Sequence, residues 1–448
     1  MRSWLSVTAS VAAFTVVPAH GLQLLTHGKT AVFRDKADDS ALIRFGRNRA
    51  LAQLIDPTCT GVHPSAVKVS AYESNVVVTH VDVPLACDKW RPARGGFLYE
   101  DAGGPVRRIV YTSRKLVVQL KGFPPITGPV GYVELWLTLG DERLLGRFHD
   151  FRRNEAAHIV ARKPSTSAAE GEAAFWDVLW GDDDSEGRQN VALHCLTKAA
   201  KASRKDGRSR FLLGMMLLYR FGHSTPDARV ASEAARADVA AAQEAFDAAL
   251  RLLWNGQAGD SRVPGFAAAA KYVNGIAHGD VALVADGLAD LDASVAVNPL
   301  FNLFDFVGVV APVIRPTDPL YAKVIQTVDF ALAPDNLACL TEQPEICGND
   351  GMAPHNLEGA LVLFGDLYAK GLVQDDPSPF RGADNLYRLA NVFAQAGDWN
   401  ARFKTLAAER QATVAERVAL YGNDDPADDP LLIGNGPGET CATCHHKR

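Results

Sequence analysis

The order of apolar and polar residues divides the chain into two unlike parts. In the first part apolar residues alternate with polar ones, as at Val67, Val69 and Ala71. A period of two residues indicates half-buried strands. Short sequences rich in Gly and Pro separate these runs, which is typical of an antiparallel sandwich or barrel. We therefore predict an N-terminal antiparallel β-sandwich over residues 22–160.

The second part has a helical period instead. Apolar residues recur at intervals of three and four, as at Phe211, Met215 and Tyr219. Glycines and prolines mark the ends of these runs, which predicts helices joined by short loops. We predict an α-helical domain over residues 188–422, preceded by a small, polar linker over residues 161–187.

The start of the chain has the pattern of a secretory signal peptide. Arg2 precedes the apolar stretch Val7–Val17, and small residues follow it at Ala19 and Gly21. A buried first helix is the alternative, but the order of charge, apolar run and small residues favours export. We predict a signal peptide over residues 1–21 and a periplasmic or extracellular protein. No later run reaches the length that spans a bilayer.

Length and composition indicate how many domains the chain forms and which class of partner it does not bind. The 448 residues exceed the size of one ordinary domain, and hydrophobic residues at 47% with charged residues at 22% match a folded protein. The net charge is -6, and the sequence has no basic stripe of Lys and Arg residues. Binding to nucleic acid is therefore not expected, because the phosphate backbone attracts clustered Lys and Arg.

Seven cysteines agree with an exported protein, in which disulfides persist. Proximity in sequence suggests that Cys59 pairs with Cys87 and Cys339 with Cys347, although spacing alone does not fix connectivity. Cys195 lies among helical apolar residues and is expected to be a buried thiol. The two remaining cysteines belong to a motif near residue 441.

The helical part resembles tetratricopeptide repeats, whose two-helix units stack into a solenoid. Gly275, Leu291 and Pro299 match the small, large and closing positions of one unit. Further matches occur at Phe364, Gly365, Tyr368, Leu389, Phe393 and Gly397-Asp398. The pattern departs at Gly287, where the repeat has Ala, and at residues 375–379, which interrupt the second unit. The resemblance covers roughly half of the chain and implies a surface that binds other proteins.

The tail over residues 423–448 contains a motif of reactive cysteine and histidine side chains. Asp, Asn, Pro and Gly dominate its first part, which predicts a flexible tether. It leads to Cys441-Ala442-Thr443-Cys444-His445, which resembles the attachment site of c-type cytochromes. The resemblance implies one covalent haem c, held by thioether bonds to Cys441 and Cys444, with His445 as the proximal iron ligand.

Three other interpretations use the same residues. A disulfide oxidoreductase places its Cys-x-x-Cys at the start of a helix in an α/β unit, which is not predicted here. Zinc could bind Cys441, Cys444, His445 and His446, but adjacent histidines reach one tetrahedral ion only with strain. A structural disulfide is the third interpretation. Haem is favoured because the five-residue motif and the predicted compartment agree.

Ordinary cytochromes c supply the second iron ligand from the fold that follows their motif. Here only three residues follow His445. A distal ligand must then come from elsewhere, and we rank Met352 or His355 first because both lie in one loop just before a helix. His278 and His223, near the ends of predicted helices, come next.

These features predict an exported monohaem c-type cytochrome-like protein. Its expected role is electron transfer to a redox partner protein, which docks on the helical domain or receives the haem tail. We expect an electron carrier rather than an enzyme, because no acid and base groups of a haem peroxidase are evident. The alternative is a secreted scaffold that resembles tetratricopeptide repeats and whose terminal Cys and His residues are structural or bind zinc.

Overall fold

The structure is a computed structural model with an N-terminal β region followed by a helical region. It describes residues 22–25, 28–34, 40–47, 51–73, 76–124, 126, 130, 132–140, 142–148, 151–155, 158–161, 166–179, 185–222, 232–254, 256, 259–342, 357–396, 401–423, 425 and 428–433. Two β-sheets and thirteen helices lie within these residues.

The β region consists of two sheets. Its strands are β1 Leu22–Leu25, β2 Gly28–Arg34, β3 Ser40–Phe45, β4 Ser65–Glu73, β5 Val76–Leu85, β6 Trp90–Ala93, β7 Gly96–Glu100, β8 Val106–Thr112, β9 Lys115–Lys121, β10 Tyr132–Leu139, β11 Glu142–Phe148, β12 Phe151–Glu155 and β13 His158–Ala161. One sheet has the order β1-β11-β10-β4-β5 and the other β12-β13-β2-β3-β9-β8-β7-β6. Neighbouring strands are antiparallel except β1 and β11, which are parallel.

Alternating side chains of both sheets form one hydrophobic core. Val67 and Val69 of β4 are fully buried there, together with Ile43 of β3 from the other sheet. The rings of Phe45 and Phe148 lie 5.2 Å apart and join β3 to β11 across the core. The period of two in the sequence therefore predicted these strands correctly, since every second side chain points into a shared interior.

The predicted disulfide of the β region is confirmed. Cys59 is bonded to Cys87, which begins a short 3₁₀ turn, Cys87–Lys89, directly before β6. Trp90 follows the turn and is buried, and its indole Nε1 donates a hydrogen bond to Ser65 Oγ over 3.3 Å. The disulfide between Cys59 and Cys87 thus connects the loop after β3 to the start of β6.

Helices occupy the rest of the described chain. They are α1 Thr166–Leu179, α2 Glu186–Ala202, α3 Gly207–Gly222, α4 Glu233–Leu253, α5 Val263–His278, α6 Val281–Val297, α7 Pro299–Val310, α8 Pro319–Ala331, α9 Pro334–Glu342, α10 Leu357–Lys370, α11 Ala383–Ala396, α12 Ala401–Ala412 and α13 Val414–Tyr421. Helix α1 lies in the segment predicted to be a linker. Its Phe175 and Trp176 are buried against α2, α3 and their neighbours. The segment therefore contains a helix of the core, which the small, polar residues at its start did not indicate.

Helices adjacent in sequence pack on one another. Helices α5 and α6 approach each other closely, since a Cβ on Gly275 would lie 2.7 Å from the backbone nitrogen of Val284. A Cβ on Gly287 would lie 2.6 Å from the backbone nitrogen of Tyr272 on the facing side. Both positions accept only glycine without movement, because a real Cβ does not come within 3.0 Å of such an atom. Among the described residues, no helix has the length and apolar character that crossing a bilayer requires.

Candidate functional site

The described residues nearest to the Cys-x-x-Cys-His motif are 428–433, and they pack on the helical region. Leu432 and Ile433 are 4% and 8% exposed and belong to the core formed by α5 to α13. The predicted tether therefore does not begin at residue 423. Its first part is an anchored segment, which was not expected from so many Asp and Pro residues.

A buried carboxylate on α10 holds the anchored segment. Asp366 is fully buried, and its Oδ2 accepts a hydrogen bond from the backbone nitrogen of Ile433 over 2.7 Å. The other oxygen, Oδ1, accepts from the hydroxyl of Tyr387 on α11 over 2.6 Å. It also accepts from Nη2 of Arg417 on α13 over 2.8 Å. One side chain thus joins two helices to the segment before the motif.

Two buried arginines complete this network. Arg410 Nε on α12 lies 3.2 Å from Asp366 Oδ1, within ion-pair distance. Both guanidinium groups also donate to the backbone oxygen of Leu431, Arg410 Nη2 over 3.3 Å and Arg417 Nη2 over 3.0 Å. Burying a charge costs free energy unless it is paired and hydrogen-bonded. We call Asp366, Tyr387, Arg410 and Arg417 the Asp366 anchor.

Tyrosines beside the anchor stay protonated to high pH. Burial, followed by the charge of Asp366, raises the pKa of Tyr387 well above its ordinary value. The same two causes raise the pKa of Tyr421, whose hydroxyl donates to the backbone oxygen of Pro430. Burial lowers the pKa of Arg417, but the Asp366 carboxylate together with Tyr387 and Tyr421 outweighs this effect and raises that pKa above the usual value. Arg417 therefore remains a cation under all ordinary conditions.

A buried lysine lies at the edge of the anchored segment. Lys370 ends α10, and its Nζ donates to the backbone oxygen of Ala311 over 3.2 Å. Burial lowers the pKa of Lys370, and the nearby charge of Asp429 acts in the opposite direction. The ends of α7 and α10 therefore meet beside residues 428–433.

The predicted haem residues themselves lie outside the described part of the chain. This holds for Cys441, Cys444 and His445, and also for the distal candidates Met352, His355 and His223. Of the ranked candidates the structure describes only His278, an exposed residue at the end of α5 whose Nδ1 lies 3.1 Å from the backbone oxygen of Asn274. Within the described ranges, no group of three or more His, Cys, Asp and Glu could hold a metal ion.

The other cysteines agree with their predicted roles where they are described. Cys195 is buried and free, and burial raises the pKa of its thiol. Cys339 is disulfide-bonded, and Cys347, its predicted partner, lies outside the described residues. The pairing of these two cysteines therefore stays a prediction.

The sequence interpretation missed the Asp366 anchor. A signal was available, because Asp366 lies within the apolar helix sequence Leu361-Val362-Leu363-Phe364-Gly365 and Leu367-Tyr368-Ala369. A lone carboxylate in such a helix requires a cationic partner if it is buried. The arginines that supply it lie 44 and 51 residues later, at a distance that helical periodicity cannot connect.

Comparison with known proteins adds no assignment: no protein-family model, no curated protein and no solved structure matches this chain.

Proposed function

We propose that this chain is an exported monohaem c-type cytochrome-like protein that exchanges electrons with a partner protein. The sequence Cys441-Ala442-Thr443-Cys444-His445 carries the proposal. Its donor set suits haem, since two thiols with two residues between them can bond both vinyl groups while the next imidazole reaches the iron. When bound, haem supplies one-electron iron chemistry.

The Asp366 anchor supports a role for the tail close to the helical region. Cys441 is the eighth residue after Ile433, so covalent geometry holds its Cα within about 28 Å of the anchored backbone. A cofactor bonded there stays within that distance of the anchored segment, which itself lies beside the ends of α7, α10 and α13. The helical region is thus the surface that a redox partner would meet together with the haem.

We further propose that the β region is a β-sandwich and that the helical region is a solenoid resembling tetratricopeptide repeats. The shared core of the two sheets supports the sandwich. The close contact at Gly275 supports the repeat, which packs its paired helices tightly at this position. Such solenoids bind proteins, and this suits the docking of an electron donor or acceptor.

Export and the distal ligand belong to the same proposal. Residues 1–21 act as a signal peptide, which places the protein in the periplasm or outside the cell, where haem attachment to c-type cytochromes occurs. Met352 or His355 supplies the distal iron ligand. Met352→Ala and His355→Ala are compared singly: replacement of the ligating residue should alter the low-spin visible spectrum, and two unaltered spectra would exclude this loop.

The second candidate function is a secreted scaffold with a terminal zinc site or structural disulfide. The observation that favours zinc is the set of four donors at Cys441, Cys444, His445 and His446. Haem chemistry does not require His446. Metal analysis of the purified protein separates the two candidates.

The decisive experiment is production in a host that matures c-type cytochromes. We expect a pyridine haemochrome band that survives acid-acetone extraction, since thioether bonds are not broken by this treatment. Cys441→Ser combined with Cys444→Ser should abolish the band. Cys195→Ser, which changes a buried thiol elsewhere, should retain it. Absence of the band from the natural sequence, with one equivalent of zinc instead, would replace haem by the second candidate.

A further inference from the structure

Three chain segments meet where the anchored segment leaves the helical region. The end of α7 contacts the end of α10 through the hydrogen bond from Lys370 Nζ to the Ala311 oxygen. The end of α13 contacts the anchored segment through Tyr421 and Pro430. Leu372 joins both sides, since its Cδ2 lies 3.4 Å from the position of a Cβ on Gly422.

Three exposed apolar side chains lie next to these contacts along the chain. Val313 is 51% exposed, Leu372 53% and Leu431 45%. Each of them lies within two residues of one of the contacts just described. We call these three residues the exit patch. Single apolar residues are ordinary on a surface; this group is of interest because the segment that leads to the Cys-x-x-Cys-His motif leaves the helical region beside it.

Leu372 adds a second, independent feature. Its φ is +60°, and no other non-glycine residue in the described part of the chain has a positive φ. This left-handed conformation is costly for a residue with a Cβ and is ordinarily given to glycine. The backbone nitrogen of Val373 donates to the oxygen of Tyr368 over 2.9 Å, so this conformation belongs to the end of α10, and a half-exposed leucine stands where glycine is usual.

We propose that the exit patch receives the haem carried by residues 434–448 of the same chain. This inference rests on the proposed function. The porphyrin edge is apolar, and covering Val313, Leu372 and Leu431 with it removes apolar surface from water on both sides. The distance is suitable, because Cys441 cannot lie farther than about 28 Å from Ile433.

The haem of the same chain is favoured over the haem of a second copy, because only a short segment connects it to the exit patch. A short link gives its two ends an effective concentration in the millimolar range. A second molecule reaches such a concentration only in very concentrated solution. Docking within one chain should therefore be independent of protein concentration.

Glu439 provides the test, since it lies between Ile433 and Cys441. A glutamate-specific protease that cleaves the holoprotein after Glu439 releases a haem peptide that begins at Thr440, and mass spectrometry distinguishes it from longer fragments cut after Glu409 or Glu416. The test variant combines Leu372→Gly, which also relieves the backbone, with Leu431→Ser, which retains the hydrogen-bonded carbonyl. The control combines Leu252→Ser with Val392→Ser, which are 41% and 47% exposed elsewhere on the helices.

We expect the test variant to release the haem peptide about tenfold faster than the natural protein, which corresponds to ~1.4 kcal/mol of lost contact. The control should keep the natural rate. The variant Cys441→Ser with Cys444→Ser, which carries no thioether, should be cleaved at Glu439 as fast as the test variant.

Equal rates for the test variant and the natural holoprotein would overturn the docking. Release that slows with rising protein concentration would show a second copy as the occupant and would also overturn it. Neither result affects covalent haem, which the haemochrome band reports beforehand. Absence of that band refutes the proposed function, and the docking with it.

Discussion

Replacing Asp366 by Asn tests whether the anchored segment depends on a buried charge. The substitution keeps the size of the side chain but removes the negative charge between Arg410 and Arg417, each 9% exposed at the side chain. Removing one partner of a buried ion pair leaves an uncompensated charge and costs about 3–5 kcal/mol. In Asp366→Asn two buried cations, Arg410 and Arg417, lose their counter-charge, so we expect a loss of stability of about 3–5 kcal/mol.

This cost is large compared with the stability of an ordinary domain, about 5–15 kcal/mol. With a urea dependence of about 2 kcal/mol per molar, the unfolding midpoint should fall by roughly 2 M. Circular dichroism at 222 nm measures it, because the helical region supplies most of this signal.

Asp292→Asn is the matched control. Asp292 pairs with Lys323 on the surface, where the two side chains are 53% and 45% exposed. Such a pair contributes about 0–1 kcal/mol. If Asp366→Asn lowered the free energy of unfolding by no more than this control, the buried network would not hold the segment in the way described.

Two further predictions concern packing and pH. Gly275→Ala should destabilise the helical region by about 1–3 kcal/mol, since its Cβ would meet the backbone of Val284 at 2.7 Å. Gly308→Ala on α7, where a Cβ meets nothing within 4 Å, should instead stabilise by about 0.5–1 kcal/mol; urea unfolding that ranks the two variants alike would contradict this. Burial, followed by the hydrogen bond to Asp329, raises the pKa of Tyr368 to about 12, so the stability it contributes is complete below about pH 10 and is lost as pH rises toward 12. Tyr368→Phe should flatten the fall of the unfolding free energy between pH 10 and 12, and parallel curves for the two proteins would refute this reasoning.

The sequence was informative where a short period reports burial. Alternation around Val67 and Val69 predicted strands, and the spacing of Phe211, Met215 and Tyr219 predicted α3. Cys59 and Cys87 were paired correctly because they share one region of the chain. In each of these cases, residues near in sequence determine the outcome.

Long-range pairing was beyond that approach. Helix α1 was read as a linker because its first residues are small and polar, although Trp176 packs against helices that follow much later. Residues 428–433 were read as part of a tether because Asp and Pro precede them. Their packing depends on Asp366, more than 60 residues earlier, and no local pattern reports a hydrogen bond to a backbone nitrogen at such a separation.

The burial of Leu432 and Ile433 also sets an order of events during synthesis. The core formed by α5 to α13 includes these two residues, so it closes only after residue 433 has left the ribosome. Most of the helical region is therefore synthesised before its core can close. A chain that stopped before residue 432 would lack two of the side chains that complete this core.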